Sequence, residues 1–167
     1  MKSNSLKHRD AVKKTIIQFE NLSGAVIDSS SVIYMHKCNF LSLLSRAIKI
    51  IIPEQAYDEI NLNLNQITVV SFNNIRQYET DYIILKIAIE SNSPVISEDR
   101  EILKHAADKN IPYFNSLMML NFLVYKKIIN SSQYNDYLDI LKKFAWYGKH
   151  IYKYADDVHY AVIHNIC

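Results

Sequence analysis

Glycine is nearly absent from this chain: only Gly24 and Gly148 occur among 167 residues. A backbone that wraps closely around phosphates needs glycine, so the loops GxxxxGK[ST] and GxGxxG are excluded. The Gly-x-Ser-x-Gly nucleophile elbow is excluded with them. Cysteine is equally scarce. Cys38 and Cys167 make neither a disulfide framework nor a Cys-x-x-Cys zinc pair, and free thiols fit a reducing cytosol. No apolar run approaches the ~18 residues of a membrane span, and the opening "MKSNSLKHRDAVKK" lacks the apolar core of a secretory signal. The expectation is a cytoplasmic protein with no membrane attachment. Charge of one sign is missing too. A net charge of +2 is too mild to announce nucleic acid, whose binders show themselves by local clustering.

What is present points to a packed fold. Hydrophobic residues make up 49% of the chain and charged ones 22%, a balance that buries a core instead of remaining disordered. Short apolar runs, "GAVID" (24–28), "IKIII" (48–52), "ITVVSF" (67–72), "PVIS" (94–97) and "IPYF" (111–114), alternate with helical stretches. That alternation predicts an α/β fold, a parallel sheet of four to five strands flanked by helices. Residues 1–23 form a helical lead-in, 24–130 the α/β domain, and 131–167 a helical C-terminal extension of it. From Ser116 onward only helix is expected, in two pieces divided near "INSSQ".

An aspartate within "GAVIDSSSVI" (24–33) needs a partner, a cap or a chemical role. In an open parallel sheet, ligands bind at the carboxyl ends of the strands. Asp28 ends the first strand, and Asp99 follows the fourth in "VISEDREI". Glu59 lies about 9 Å along the helix that Pro53 opens, at 1.5 Å per residue. Asp81 stands near the start of the helix after the third strand. Right-handed crossovers bring all four to one rim. Each alone has a plain reading as a helix cap worth ~1 kcal/mol or as a solvated residue. Together they raise an electrostatic problem. Two carboxylates 4 Å apart repel by roughly 4 kcal/mol at an effective dielectric of 20. Protonation or a cation relieves that repulsion, and hard oxygen donors select Mg²⁺ or Mn²⁺. Such an ion activates water and neutralises a phosphate under attack, so the chemistry expected is phosphodiester hydrolysis.

The motifs resemble the PIN-domain nucleases. "VIDSSSVI" resembles the family's first motif, a hydrophobic strand, an aspartate and small hydroxyl residues; "IIIPEQAYDEI" resembles its strand, proline and helix ending in Glu. "DYIILKIAIESNSPVISED" is similar to the segment bearing its third and fourth acids, and "NIPYFNSLMMLNFLVYKKII" to the closing strand and helix. The resemblance covers residues 24 to 125. It implies a divalent-metal-dependent nuclease, usually acting on RNA, with Asp28, Glu59, Asp81 and Asp99 as catalytic and metal-binding residues. Asp28 would be the central ligand, Asp81 and Asp99 would complete the set, and Glu59 would orient or deprotonate the water. Ser30 and Ser97 would support the carboxylates or metal-bound water. In many bacterial members the nuclease is the toxin of a toxin–antitoxin pair, which implies an antitoxin protein and a homodimer as partners. This chain departs from the pattern between Glu59 and Asp81. Only 22 residues separate them, too few for the helical hairpin that helps form the dimer and the antitoxin contact in toxin members.

The stretch "KKFAWYGKHIYKY" (142–154) interleaves Lys142, Lys143, Lys149 and Lys153 with Trp146 and other aromatic rings. Rings stack on unpaired bases while lysines follow phosphates, which makes this a candidate RNA-binding segment. Its plain alternative is an amphipathic helix packing its rings on the core. "YADDVHYAVIH" (154–164) does not make a zinc site, because Asp157 and His159 are two apart and do not share a helix face. The competing functional reading is a catalytically silent PIN-like module that binds RNA or a protein partner.

Overall fold

The computed structural model describes residues 2–60, 62, 64–71 and 80–166, with side chains from Lys7 onward. Phe72 of the expected third strand, Tyr78 and Glu79 of the helix after it, and Cys167 lie outside the described residues. The chain groups into two compact units. One is Ser23–Ser116; the other joins Met1–Leu22 to Leu117–Cys167. The lead-in and the C-terminal helices thus belong together.

The first unit is the α/β unit expected from the sequence, with five strands all in parallel. In chain order it contains β1 (Gly24–Ile27), α2 (Ser29–Lys37), α3 (Leu41–Ala47), β2 (Lys49–Pro53) and α4 (Glu54–Asp58). It continues with β3 (Thr68–Val70), α5 (Thr80–Glu90), β4 (Val95–Ile96), α6 (Arg100–Asp108) and β5 (Tyr113–Phe114). The helix before α2 is α1 (Lys2–Glu20), in the other unit. The strand order is β3-β2-β1-β4-β5. From β1 the chain winds outward to β3, then returns to lay β4 and β5 on the other side of β1. The direction reverses between β1 and β4, so their carboxyl ends flank the crevice where open α/β sheets take their ligands. Register there is set by Val26 against Val95 and Ile27 against Ile96.

The central strands β1 and β4, buried on both faces, read as continuous apolar runs, while the edge strand β3 is largely exposed. Val26 and Val95 pack with Ile83, Ile84, Ile87 and Ala88 of α5 and with Ile102 and Ala106 of α6. The helix expected across "VIYMHKCNFLSLLSRA" is two helices, broken where Asn39 takes a left-handed φ of 61°.

The second unit holds α1 together with the rest of α7 (Ser116–Tyr125), α8 (Ser131–Leu141) and α9 (Lys149–Ile163). The C-terminal region thus has three helices where two were expected. Residues after the break in "FAWYG" restart the chain as α9. Along α1, Thr15 and the carbonyl of Ala11 both meet the Tyr154 hydroxyl, at 2.7 and 3.0 Å. Phe19 meets Phe122 edge to face at 5.6 Å. Inside, the Asn121 amide donates to Ala155 O, and its Oδ1 lies 3.1 Å from Nδ1 of His159. His159 stacks on Tyr134, and burial lowers its pKa, with Asp156 opposing the shift.

Glycine scarcity has a visible cost at helix ends. Left-handed residues follow α2, α5, α6, α7 and α9, and none is glycine: they are Asn39, Asn92, Asn110, Lys127 and Asn165. Asparagine tolerates this conformation through its short polar side chain; lysine does not share that advantage. Lys127→Gly is therefore expected to stabilise the protein by about 1 kcal/mol, read as a raised urea midpoint with unchanged slope. An unchanged or lowered midpoint would contradict the strain at this position.

Candidate active site

Asp28 stands one residue past β1, in extended backbone, and is the N-cap of α2. Its carboxylate is almost wholly buried, 5% exposed, and it collects donors from both neighbouring strand ends. Oδ1 accepts the Ser31 N–H at 2.7 Å. Oδ2 accepts the Ser30 hydroxyl at 2.8 Å, the Ser97 hydroxyl at 2.5 Å and the Glu98 N–H at 3.3 Å. Burying a carboxylate costs several kcal/mol, and charge-assisted hydrogen bonds of about 1.5–3 kcal/mol each offset it. The ladder between β1 and β4 brings the groups together, since the Asp28 N–H donates to Ile96 O at 3.1 Å.

A second carboxylate joins the network that sequence reasoning passed over. Glu98 Oε1 accepts the Ser116 N–H at 2.7 Å and lies 3.4 Å from the Ser31 hydroxyl. One serine thus bridges Asp28 and Glu98. Neighbouring groups register both charges. Tyr34 has its pKa raised by burial, then by Glu98 and by Asp28. Burial, with Glu98 adding to it, pushes the Cys38 thiol up to about 12, so at neutral pH it is a protonated thiol and no nucleophile.

The other expected acids occupy distinct places. Glu59 ends α4 as its C-cap, exposed, with Oε2 accepting the hydroxyl of Ser29, the residue beside Asp28. Asp99 caps α6 by accepting the Glu101 N–H at 2.7 Å, and its own N–H donates to Ser97 Oγ at 3.0 Å. Its backbone thus meets the hydroxyl that donates to Asp28, while its carboxylate is taken up by the cap. Asp81 lies in the first turn of α5 and lines a groove between α5 and α6 with Tyr82, Ile89, His105 and Lys109. Asp28 and Glu98 are thus linked through Ser31, whereas Glu59 binds the adjacent Ser29 and Asp99 reaches Ser97 by its backbone alone. Ser30 and Ser97 both support Asp28, as the resemblance implies. The plain readings of Asp28 and Asp99 as caps hold at the same time.

Among the described residues, no three His, Cys, Asp or Glu side chains converge closely enough to hold an ion by themselves. Ser31 reaches both Asp28 and Glu98, the pair that could serve as a two-carboxylate donor set. Such a set suits Mg²⁺, which keeps several waters and is bound through one or two carboxylates plus substrate phosphates. Asp28 Oδ1 carries a single hydrogen bond, and so retains a lone pair. The hydroxyl of Ser116, whose N–H bonds Glu98, is buried without a partner. A buried hydroxyl of this kind needs a water or an ion's hydration shell to satisfy it. The residues present therefore fit a hydrated divalent ion.

The candidate RNA-binding residues lie in the helical unit. Trp146 is 92% exposed, not packed on a core. Lys142 is 4.0 Å from Asp139 and Lys153 is 3.4 Å from Asp157, while Lys143 and Lys149 form no ion pair among the described residues.

No family model matches the chain, and no curated protein matches it.

Glu98 was detectable only as the acid next to Asp99. Its neighbour is the better-known cap position, and which of two adjacent acids turns inward depends on the backbone after β4. Ser31 and Ser116 carried no signal beyond their hydroxyls.

Removing one donor from the buried carboxylate tests this construction. Ser97→Ala is expected to lower stability by about 1–3 kcal/mol in urea unfolding. Ser30→Ala, at a less buried position, is expected to cost less. A Ser97→Ala change within 0.5 kcal/mol of zero would show that Asp28 does not depend on this hydroxyl.

Proposed function

We propose that the chain is a divalent-metal-dependent endoribonuclease, a hydrolase of RNA phosphodiester bonds, working at the rim built on Asp28 and Glu98. The observation that carries this reading is that Ser31 reaches both Asp28 and Glu98, acids that follow β1 and β4, where the winding of the sheet reverses. A phosphodiester is itself an anion, so its approach to this rim requires a cation between them. The PIN-like motifs in the sequence support the same chemistry and make RNA the substrate class.

Bound there, a Mg²⁺ or Mn²⁺ ion would supply Lewis-acid activation and charge neutralisation. Asp28 and Glu98 would hold it, with Asp99 at the edge of the set. Ser30, Ser97 and the Glu98 N–H fix the Asp28 carboxylate in one orientation, so that no reorganisation is needed when substrate arrives. Glu59 is exposed, and its Oε1 forms no hydrogen bond among the described residues, which leaves it able to take a proton from an attacking water. Asp81, implied as a ligand by the resemblance, keeps a secondary place in this reading. No helix among the described residues is long and apolar enough to cross a membrane. A cytoplasmic site of action belongs to the same proposal. Membership of a toxin–antitoxin pair, with an antitoxin and a homodimer as partners, belongs to the same proposal and rests on the resemblance alone.

A specific observation favours a second reading. Each acid of the rim has its own hydroxyl or amide donor, and no three converge among the described residues. A silent module that binds RNA or protein would keep that arrangement without an ion.

One assay separates the two. Cleavage of a single-stranded RNA pool with Mg²⁺ or Mn²⁺ is expected to disappear in EDTA. Glu98→Gln and Asp28→Asn should each lower the rate more than about a hundredfold, and Ser97→Ala by about 10- to 100-fold, as supporting residues do. Metal-independent cleavage, or equal rates in wild type and Asp28→Asn, would reject the assignment. No cleavage by any form would favour the silent module.

A further inference from the structure

The chain between α8 and α9 holds the most exposed aromatic residue among the described residues. Trp146, at 92% exposure, stands clear of its own unit, although tryptophan is on average highly buried. The loop that carries it is anchored. Ala145, next to it, is buried, and its N–H donates to Leu141 O at 2.8 Å. The Ala145 carbonyl accepts the Tyr152 hydroxyl at 3.1 Å, and Tyr152 meets Tyr147 edge to face at 5.6 Å. On the far side Gly148 caps α9, and a Cβ there would come within 2.8 Å of the His150 ring. The backbone is therefore tied on both flanks of an indole that it presents to solvent.

The surroundings are basic. From Lys142 to Ala155 the sequence has four lysines and a histidine and no acid. Lys142 and Lys153 are partly committed to Asp139 and Asp157 at the margins, and Lys142 lies 5.9 Å from the centre of the Tyr152 ring. Lys143 and Lys149, either side of the indole in sequence, are exposed and without an ion pair among the described residues.

We propose that this loop is a binding platform for single-stranded nucleic acid, in which Trp146 stacks on one unpaired base while Lys143 and Lys149 neutralise flanking phosphates. Charge complementarity selects a polyanion, and a lone indole face matches a single base. An anionic membrane surface would need an apolar face of several residues. Here Phe144 and Tyr147 are half-buried, and Trp146 alone is offered. Nothing in the loop reads a base edge, so the platform takes unpaired RNA or DNA with little regard to sequence. The proposal is independent of the carboxylate rim, and the two can fail separately.

Trp146 is the only tryptophan in the chain, so it reports on itself. The full-length protein is titrated in EDTA with oligo(dT) and oligo(U), following intrinsic fluorescence. Saturable quenching is expected, weakening with salt at a slope of about −0.7 per phosphate engaged. In anisotropy with labelled oligonucleotide, Trp146→Ala is expected to weaken binding by about 5- to 150-fold, the equivalent of ~1–3 kcal/mol for one stacked base. Trp146→Phe should retain most of the affinity. The double change Lys143→Gln and Lys149→Gln should reduce the salt slope by about 1.4. The titration in EDTA keeps this test apart from metal-dependent hydrolysis. An unquenched indole, or unchanged affinity in Trp146→Ala with circular dichroism intact, would overturn the proposal. A blue shift with phosphatidylserine vesicles and no response to oligonucleotide would overturn it in favour of a membrane-facing loop.

Discussion

The buried carboxylate of Asp28 is the constraint on which the sheet unit turns. An anion at 5% exposure is unstable unless donors meet it, and here they come from two stretches of chain 67 residues apart, Ser30–Ser31 and Ser97–Glu98. Satisfying it requires the ends of β1 and β4 to lie side by side. The alternative register, shifted by one residue, would turn Val26 and Val95 away from the α5–α6 cluster and carry Ser97 away from the carboxylate. Hydrophobic burial and polar satisfaction therefore select the same pairing. Such agreement between levels is what gives a fold a single answer.

The same donors shape the chemistry. Crowded acids were expected to need protonation or a cation. Instead, serines stand between them: Ser29 on Glu59, Ser30 and Ser97 on Asp28, Ser31 between Asp28 and Glu98. Hydroxyls share out the negative charge but do not cancel it, since a hydrogen bond leaves a carboxylate its charge. On the proposed function, carboxylates held in position in this way would receive a hydrated hard cation and the phosphate that it brings. The polar half of the site is thus assembled before any ligand arrives, and the unsatisfied Ser116 hydroxyl marks where hydration is still required.

Much of this was legible in the sequence because β-branched runs and amphipathic stretches alternate strongly. All five strands fell where apolar runs of four to six residues are bounded by Gly, Pro, Ser or Asn, and Asp28 stood out as a charge between valines and isoleucines. The break at Asn39 was not legible. Its cause is a left-handed residue, and asparagine signals that far more weakly than the glycine this chain lacks. The extra break before α9 was obscured in a similar way, because "KKFAWYG" carries helix-compatible residues up to Gly148. An amphipathic helix packing its rings on the core was the plain alternative for this stretch, and Trp146 instead lies outside, with Ala145 the buried residue of that turn. Glu98 was hidden by adjacency: composition cannot tell which member of a Glu-Asp pair caps the helix and which faces the neighbouring strand end.

The central claim is that Asp28 and Glu98 together form a divalent-cation site, with Asp99 engaged chiefly as a helix cap. Titrating the protein into Mn²⁺ and following the free-ion electron paramagnetic resonance signal measures that directly, without substrate. Wild type is expected to deplete the free signal, Glu98→Gln to abolish the depletion, and Asp99→Asn to weaken it only modestly. Depletion by Glu98→Gln equal to that of wild type, or none by wild type, would contradict the account.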